Sequence, residues 1–271
     1  MRRLITALLL LTLIACEKSD PIPLPLQWML TIHPPGSASS CPSRGLPAGA
    51  KLADTVVDAP GATGSLFGVP GKAANGVCGG GGQTGSTDVY TLHSATPGGE
   101  AYIILAFSGG KVANGAGADF VVFENPFQKQ NGSYFLEPAI VEVGHDGTNW
   151  CGFNPLYASG TVYSGDPVDW SGFAGLSPVR FNQDTWSYGS AEIFDPAFAG
   201  GDPFDLSSLS PDNSFNIGCS VALRDDLVLN GFTYLRLTSA ASRINPATGQ
   251  PYPIDPASYD GASDIDGVIA R

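Results

Sequence analysis

The chain is rich in carboxylates that fall in short, repeated settings. Asp outnumbers Glu 19 to 6, and Asp favours turns and hard-cation sites over helices. Asp264-Ile265-Asp266-Gly267 puts two carboxylates two residues apart, on one face of an extended segment. With Asp202 and Asp205 of Gly201-Asp202-Pro203-Phe204-Asp205, and with Asp119 as a further candidate, they are expected to supply oxygen ligands for calcium. Calcium takes six to eight oxygens and tolerates irregular loops. The pattern is not an EF-hand, because no Glu follows at the twelfth position. The competing reading is that these acids cap turns, as Asp205 could before Leu206-Ser207-Ser208.

Asp119 and Glu124 bracket one apolar run, Phe120-Val121-Val122-Phe123. At ~3.3 Å per residue they stand about 17 Å apart, so they cannot share an ion. Glu124 falls on the same face as Phe120 and Val122. Buried there, its carboxylate needs a partner. Arg236, within Phe232–Thr238, is the expected one; Glu124 and Asn125 as ligand-binding groups are the alternative. Aromatic side chains offer a second chemistry. Trp150, Tyr157, Tyr163, Trp170, Trp186 and Tyr188 fall in or beside one loop-rich stretch. Rings stack on sugar faces and carboxylates bond hydroxyls, which suits a glycan site. Trp150, Tyr157, Trp170 and Trp186 are the expected stacking residues.

Catalytic patterns are mostly missing. His33, His93 and His145 belong to no H-E-x-x-H or H-x₃-H spacing, and there is no C-x-x-C. Ala106-Phe107-Ser108-Gly109-Gly110 follows a strand but precedes no helix, so it is no nucleophile elbow. Two facing carboxylates would suffice for a glycosidase. The expectation is a protein that is not an enzyme, with a secreted polysaccharide hydrolase or a purely structural protein as the competing classes.

The elements that must position these groups are strands. Asp54–Asp58, Asp88–His93, Ala101–Phe107, Asp119–Glu124, Ala139–Gly144, Ile217–Leu223, Phe232–Thr238 and Ile265–Ala270 are separated by Gly, Pro and Asp. In Ala139–Gly144 the residues Ala139, Val141 and Val143 form the buried face. Tyr102 to Phe107 is apolar throughout and reads as covered on both sides. Short helical turns are expected only near Phe204–Leu209. Together these predict an all-β fold, an antiparallel β-sandwich of jelly-roll type with long loops. The Gly-rich stretch Gly71–Ser86 reads as a surface excursion pinned by Cys78. Residues 155–215 are expected to form loops at one end, where a site usually lives.

The N-terminus reads as an address. Met1-Arg2-Arg3 precedes a short apolar run, Leu4 to Ile14, that ends in Leu13-Ile14-Ala15-Cys16. This resembles the lipobox of bacterial lipoproteins, which implies cleavage after residue 15 and lipidation of Cys16. By the same resemblance, Glu17 implies sorting to the outer membrane or cell surface. Residues 16–48 read as a Pro- and Ser-rich tether and 49–271 as the sandwich domain. Setting Cys16 aside leaves Cys41, Cys78, Cys151 and Cys219, an even number in an exported chain. Three pairings are open; Cys41–Cys78 with Cys151–Cys219 is the expected one. The formal charge is −12 with only 13 Lys and Arg, too few to track a phosphate backbone, so nucleic acid is not an expected partner. The membrane, through the lipid, and a glycan or surface protein are.

Five segments, read in order, resemble a family of bacterial cell-surface lipoproteins. They are Ala53–Val57, Gly115–Asn125, Ala139–Val143 with Asp146-Gly147 and Trp150, Gly200–Leu206, and Asp264–Val268. The shared core is D-F-x-V-F-E-N, followed by G-G-D-x-F-D-L and D-[IL]-D-x-V. Phe232–Leu237 also looks like a strand of discoidin-like, galactose-binding-like sandwiches. The resemblance implies architecture and location more than activity. The insertion at 155–200 departs from it, so ligand specificity there does not transfer.

Overall fold

Phe120-Val121-Val122-Phe123 is apolar on both faces, and a strand of that kind is stable only with cover on both sides. In the computed structural model it is an inner strand of a four-stranded antiparallel sheet. The sheet order is Lys51–Leu52, Gly267–Ala270, Phe120–Phe123, Asp202–Phe204. The structure describes residues 44–96, 98–185, 189–211 and 218–271, all within one unit, Ser40–Arg271.

A second antiparallel sheet runs Phe173–Ala174, Ala139–Gly144, Tyr234–Ser239, Tyr102–Ala106, Thr55–Asp58, with Cys151–Gly152 also paired to Ala139–Gly144. The two sheets share one core. Phe120, Val122, Val268 and Ala270 from the first meet Ile103, Leu105, Val141, Val143, Leu235 and Leu237 from the second. Each fully buried side chain of this size contributes about 1.5–3 kcal/mol. The fold is the expected all-β sandwich. The outer face of the Phe120 strand is covered as well: Val121 and Phe123 pack with Val77, Phe181 and Ile193. Behind the larger sheet, Ile140 packs with Leu136, Tyr157, Trp170, Phe173 and Tyr252. Part of the expected loop region therefore folds back as a cover.

Three expectations need correction. Ile217–Leu223 is not a strand: Val221–Asn230 is a helix, and Ile217 lies outside the described residues. The Ser220 hydroxyl accepts from Leu223 N (3.1 Å) and caps the helix start, and Gly231 at φ 73° ends it. The Gly71–Ser86 stretch is no simple excursion. Ala73 and Val77 are fully buried, and Gly79 N donates to Phe181 O at 3.0 Å. Gly79 is required there, since a Cβ would stand 2.5 Å from that same oxygen. The folded part also begins before residue 49. Arg44 O accepts from Gln183 Nε2 (2.7 Å), and Leu46 packs on the Val121 cluster.

Cys151 and Cys219 form the expected disulfide. Cys78 is disulfide-bonded too; its expected partner Cys41 lies outside the described residues. So do the expected signal, Cys16 and the expected tether up to residue 43. Among the described residues, no helix is long and apolar enough to cross a membrane.

Candidate functional site

Glu124 follows the Phe120–Phe123 strand and faces the core, as its spacing requires; it is 1% exposed. Its expected partner, Arg236, is engaged elsewhere. Arg236 lies opposite Glu142 on the neighbouring strand of the other sheet. Its Nε and Nη2 stand 2.8 and 2.6 Å from Glu142 Oε2, and its guanidinium lies between the rings of Trp150 (5.2 Å) and Tyr102 (5.9 Å). The Glu124–Arg236 pair is thus replaced by Glu142–Arg236, because strand register puts those two side chains face to face.

Glu124 meets other acids instead. Its Oε1 accepts from Asp264 N at 2.8 Å, and its Oε2 has no hydrogen-bond partner. A Cβ on Gly175, at φ 90°, would stand 2.9 Å from Oε2, so only glycine fits beside the carboxylate. Burial above all, then the charges of Glu137 and Asp264, push the Glu124 carboxyl well above its ordinary range. Glu137, half-buried, is raised to about 8, first by burial and then by Asp264; a hydrogen bond from Ser258 Oγ partly opposes this. Asp264 is raised by burial, against hydrogen bonds from Thr91 and Asn125. Asn125 also bonds both the N–H and the carbonyl of Ser86, tying the Gly-rich segment to this end. At the rim, His93 Nδ1 lies 3.6 Å from Asp260, and Lys129 Nζ 2.5 Å from Asp255.

The other predicted ligands hold backbone amides. Asp119 accepts from Gly115 N (2.6 Å) and Leu206 N (2.8 Å). Asp202 accepts from Gly175 N (2.7 Å) and Leu176 N (2.9 Å), and burial raises it to about 6. Asp205 caps the short Leu206–Ser208 turn through Ser207 N (2.8 Å). Asp266, fully buried, holds Cys78 N at 3.0 and 3.1 Å. Each carboxylate clamps backbone N–H groups that would otherwise be orphaned. The expected gathering of Asp202, Asp205, Asp264 and Asp266 around calcium is not assembled. Among the described residues, no three His, Cys, Asp or Glu side chains come together to hold a metal ion.

Three of the four expected stacking rings are buried. Trp150 and Trp170 are 2% exposed and Tyr157 7%. Tyr157 and Trp170 pack on each other with centroids 3.9 Å apart, and Trp170 Nε1 donates to Ser164 O (3.0 Å). These rings cover the back of the larger sheet and offer no face to a sugar. Trp186 and Tyr188 lie outside the described residues. His145 stands 2.8 Å from Asp226 on the Val221–Asn230 helix.

The structure therefore joins Glu124, Asn125 and Asp264 and adds Glu137, Asp255, Asp260 and Lys129. The only sequence signal for Glu137 was its place, directly before Pro138 and an apolar strand. No family model matches the chain, and no curated protein or solved structure matches it.

Proposed function

We propose that this is an exported, lipid-anchored surface protein that binds a glycan or a surface partner without catalysing a reaction, on a jelly-roll, galactose-binding-like sandwich. The anchoring half of this reading rests on Arg2, Arg3, the apolar run to Ile14, and Cys16. One observation carries the recognition half. The Glu124 carboxylate is buried with one oxygen unpartnered, beside half-buried Glu137, Asp264 and Asn125. A group of acceptors with one amide suits hydroxyls or an ammonium group, either of which would satisfy the orphaned oxygen. Tyr259, 93% exposed next to Asp260, supplies a ring that the buried tryptophans do not.

The test is a binding screen of the full chain against polysaccharides and surface proteins, with calcium and with chelator. Glu124→Gln and Asp264→Asn are expected to weaken binding at least about tenfold, or 1.4 kcal/mol. Undiminished binding in both variants would overturn the assignment of this end. Binding lost in chelator would bring calcium into the site.

A second reading has an observation of its own. Glu137, held protonated beside Glu124, is the kind of carboxyl pair that a polysaccharide hydrolase uses as acid and base. Release of reducing ends that stops in Glu137→Gln, with binding retained, would favour that reading.

A further inference from the structure

Glu124 gives one oxygen to the fold and keeps the other. Its Oε1 accepts from Asp264 N, while Oε2 is buried with no hydrogen-bond partner. The space beside Oε2 is walled by backbone. A point 2.9 Å from Oε2, where a side chain on Gly175 would begin, is 3.3 Å from the Cα of Pro138, the residue after Glu137. Glu137, Asp264 and Asn125 are half-buried, so solvent reaches the group on their side. Among the described residues, ion pairs reach Asp255, Asp260, Glu142 and Glu100 but not Glu124, Glu137 or Asp264.

Glu124 is therefore a buried acceptor beside two more acids and without a cation. Geometry separates the ligand classes that could complete it. A hydroxyl would fill the hydrogen bond but leave the charge uncompensated. A guanidinium is a flat fork that pairs with both oxygens of one carboxylate, and Glu124 has only one to give. Calcium needs six to eight oxygens, and no three ligating side chains converge among the described residues. A primary ammonium fits what remains, a compact charge with three donors and no acceptor. It also favours the ionised carboxylate, which burial and the neighbouring acids disfavour.

We propose that this end takes the protonated amino group of an amino sugar, with Glu124 Oε2 as the innermost acceptor and Glu137 and Asp264 beside it; this rests on the recognition reading and names its ligand class. A sugar is favoured over a lysine side chain because the rim offers what a sugar ring needs. Tyr259 is 93% exposed and supplies a stacking face. Asp260, next to it, is exposed and acts electrostatically on both Glu137 and Asp264, so it stands where hydroxyls of the same ring would need an acceptor.

Three probes test this: a glucosamine tetramer, its N-acetylated counterpart and tetralysine. Each is titrated into the full chain at about 150 mM salt, at a pH where the sugar amine is protonated. The glucosamine tetramer is expected to bind at least about tenfold tighter than either of the others. Glu124→Gln keeps the shape and removes the charge; it should bring the ratio between the two sugars close to one, with a cooperative melt retained. If that variant does not melt cooperatively, Asp264→Asn carries the same test. Asp225→Asn removes one charge from an exposed position on the Val221–Asn230 helix and should leave the ratio unchanged. Equal binding of the two sugars would overturn the ammonium site and leave the recognition reading standing. Tetralysine binding as tightly as the glucosamine tetramer would overturn the sugar in favour of a basic peptide. A ratio untouched in Glu124→Gln and in Asp264→Asn would move the amine away from this end. No binding of any of the three, while another polysaccharide or surface protein binds in the wider screen, would overturn the proposal alone. No binding of anything in that screen would remove the recognition reading with it.

Discussion

At the residue scale, the polar interior divides into paired and unpaired charge. Arg236 and Glu142 are both buried and face each other across two strands. Arg236→Ala leaves the Glu142 carboxylate without its cation and is expected to cost about 3–5 kcal/mol. The double variant Arg236→Met/Glu142→Leu should recover most of that loss in a urea titration, because a buried pair removed whole leaves no uncompensated charge. Glu137 is the opposite case. Its carboxyl is raised to about 8 in the folded protein, whereas the unfolded chain releases that proton near 4.3. Between those values the folded state holds the extra proton. Stability from this group is therefore complete below about 4.3 and falls as pH rises toward 8, by at most about 1.4 kcal/mol per unit. Thermal melts across that range should show Tm declining, and Glu137→Gln should flatten the decline. An unchanged slope in the variant would mean that other carboxyls carry the proton.

At the element scale, what the chain betrayed in advance was local. Phe120–Phe123 could be read as a central strand because its faces are both apolar; Ala139–Gly144 could be read as a strand because its pattern alternates, but with one buried face, whereas all six residues are buried. Val221-Ala222-Leu223 was ambiguous: a short apolar run suits strand or helix, and the Ser220 cap decides only when Leu223 N is seen bonding to it. Ser220→Ala should cost about 1 kcal/mol and fray that helix in hydrogen exchange. The site was less legible than the strands. Glu124 and Asp264 are 140 residues apart, and Lys129 and Asp255 are 126 apart; no spacing rule reaches so far. Arg236 had several possible carboxylate partners, and only sheet register selected Glu142. How the aspartates are used was hidden for a related reason. Asp residues near glycine-rich turns look the same in sequence whether they gather round an ion or each clamp a backbone amide, as Asp119, Asp202 and Asp266 do. The Cys151–Cys219 link, 68 residues apart, ties the larger sheet to the start of that helix. Replacing both cysteines by alanine should cost about 2–5 kcal/mol in denaturant titration.

At the scale of the whole molecule, a charge of −12 with the acid end just described sets the choice of partner. Association with heparin-like or nucleic acid polyanions should be negligible at physiological salt. Any cationic or neutral ligand should bind with at most a modest loss on raising salt from 50 to 200 mM, since charge here steers but does not condense counterions.

The first and the final strand of the domain pair directly, Lys51 with Ala270 and Leu52 with Ile269. Their outward-leading ends therefore lie side by side on one rung. Tension entering the domain before Lys51 and leaving after Ala270 would open that two-rung ladder like a zipper, one pair at a time and with little resistance. Tension entering before Lys51 and leaving through a ligand held near Glu124 would not load that pair from both sides and would have to cross the broad sheets, where many hydrogen bonds share it. The same domain would be weak when stretched between its own ends and strong when pulled by what it grips.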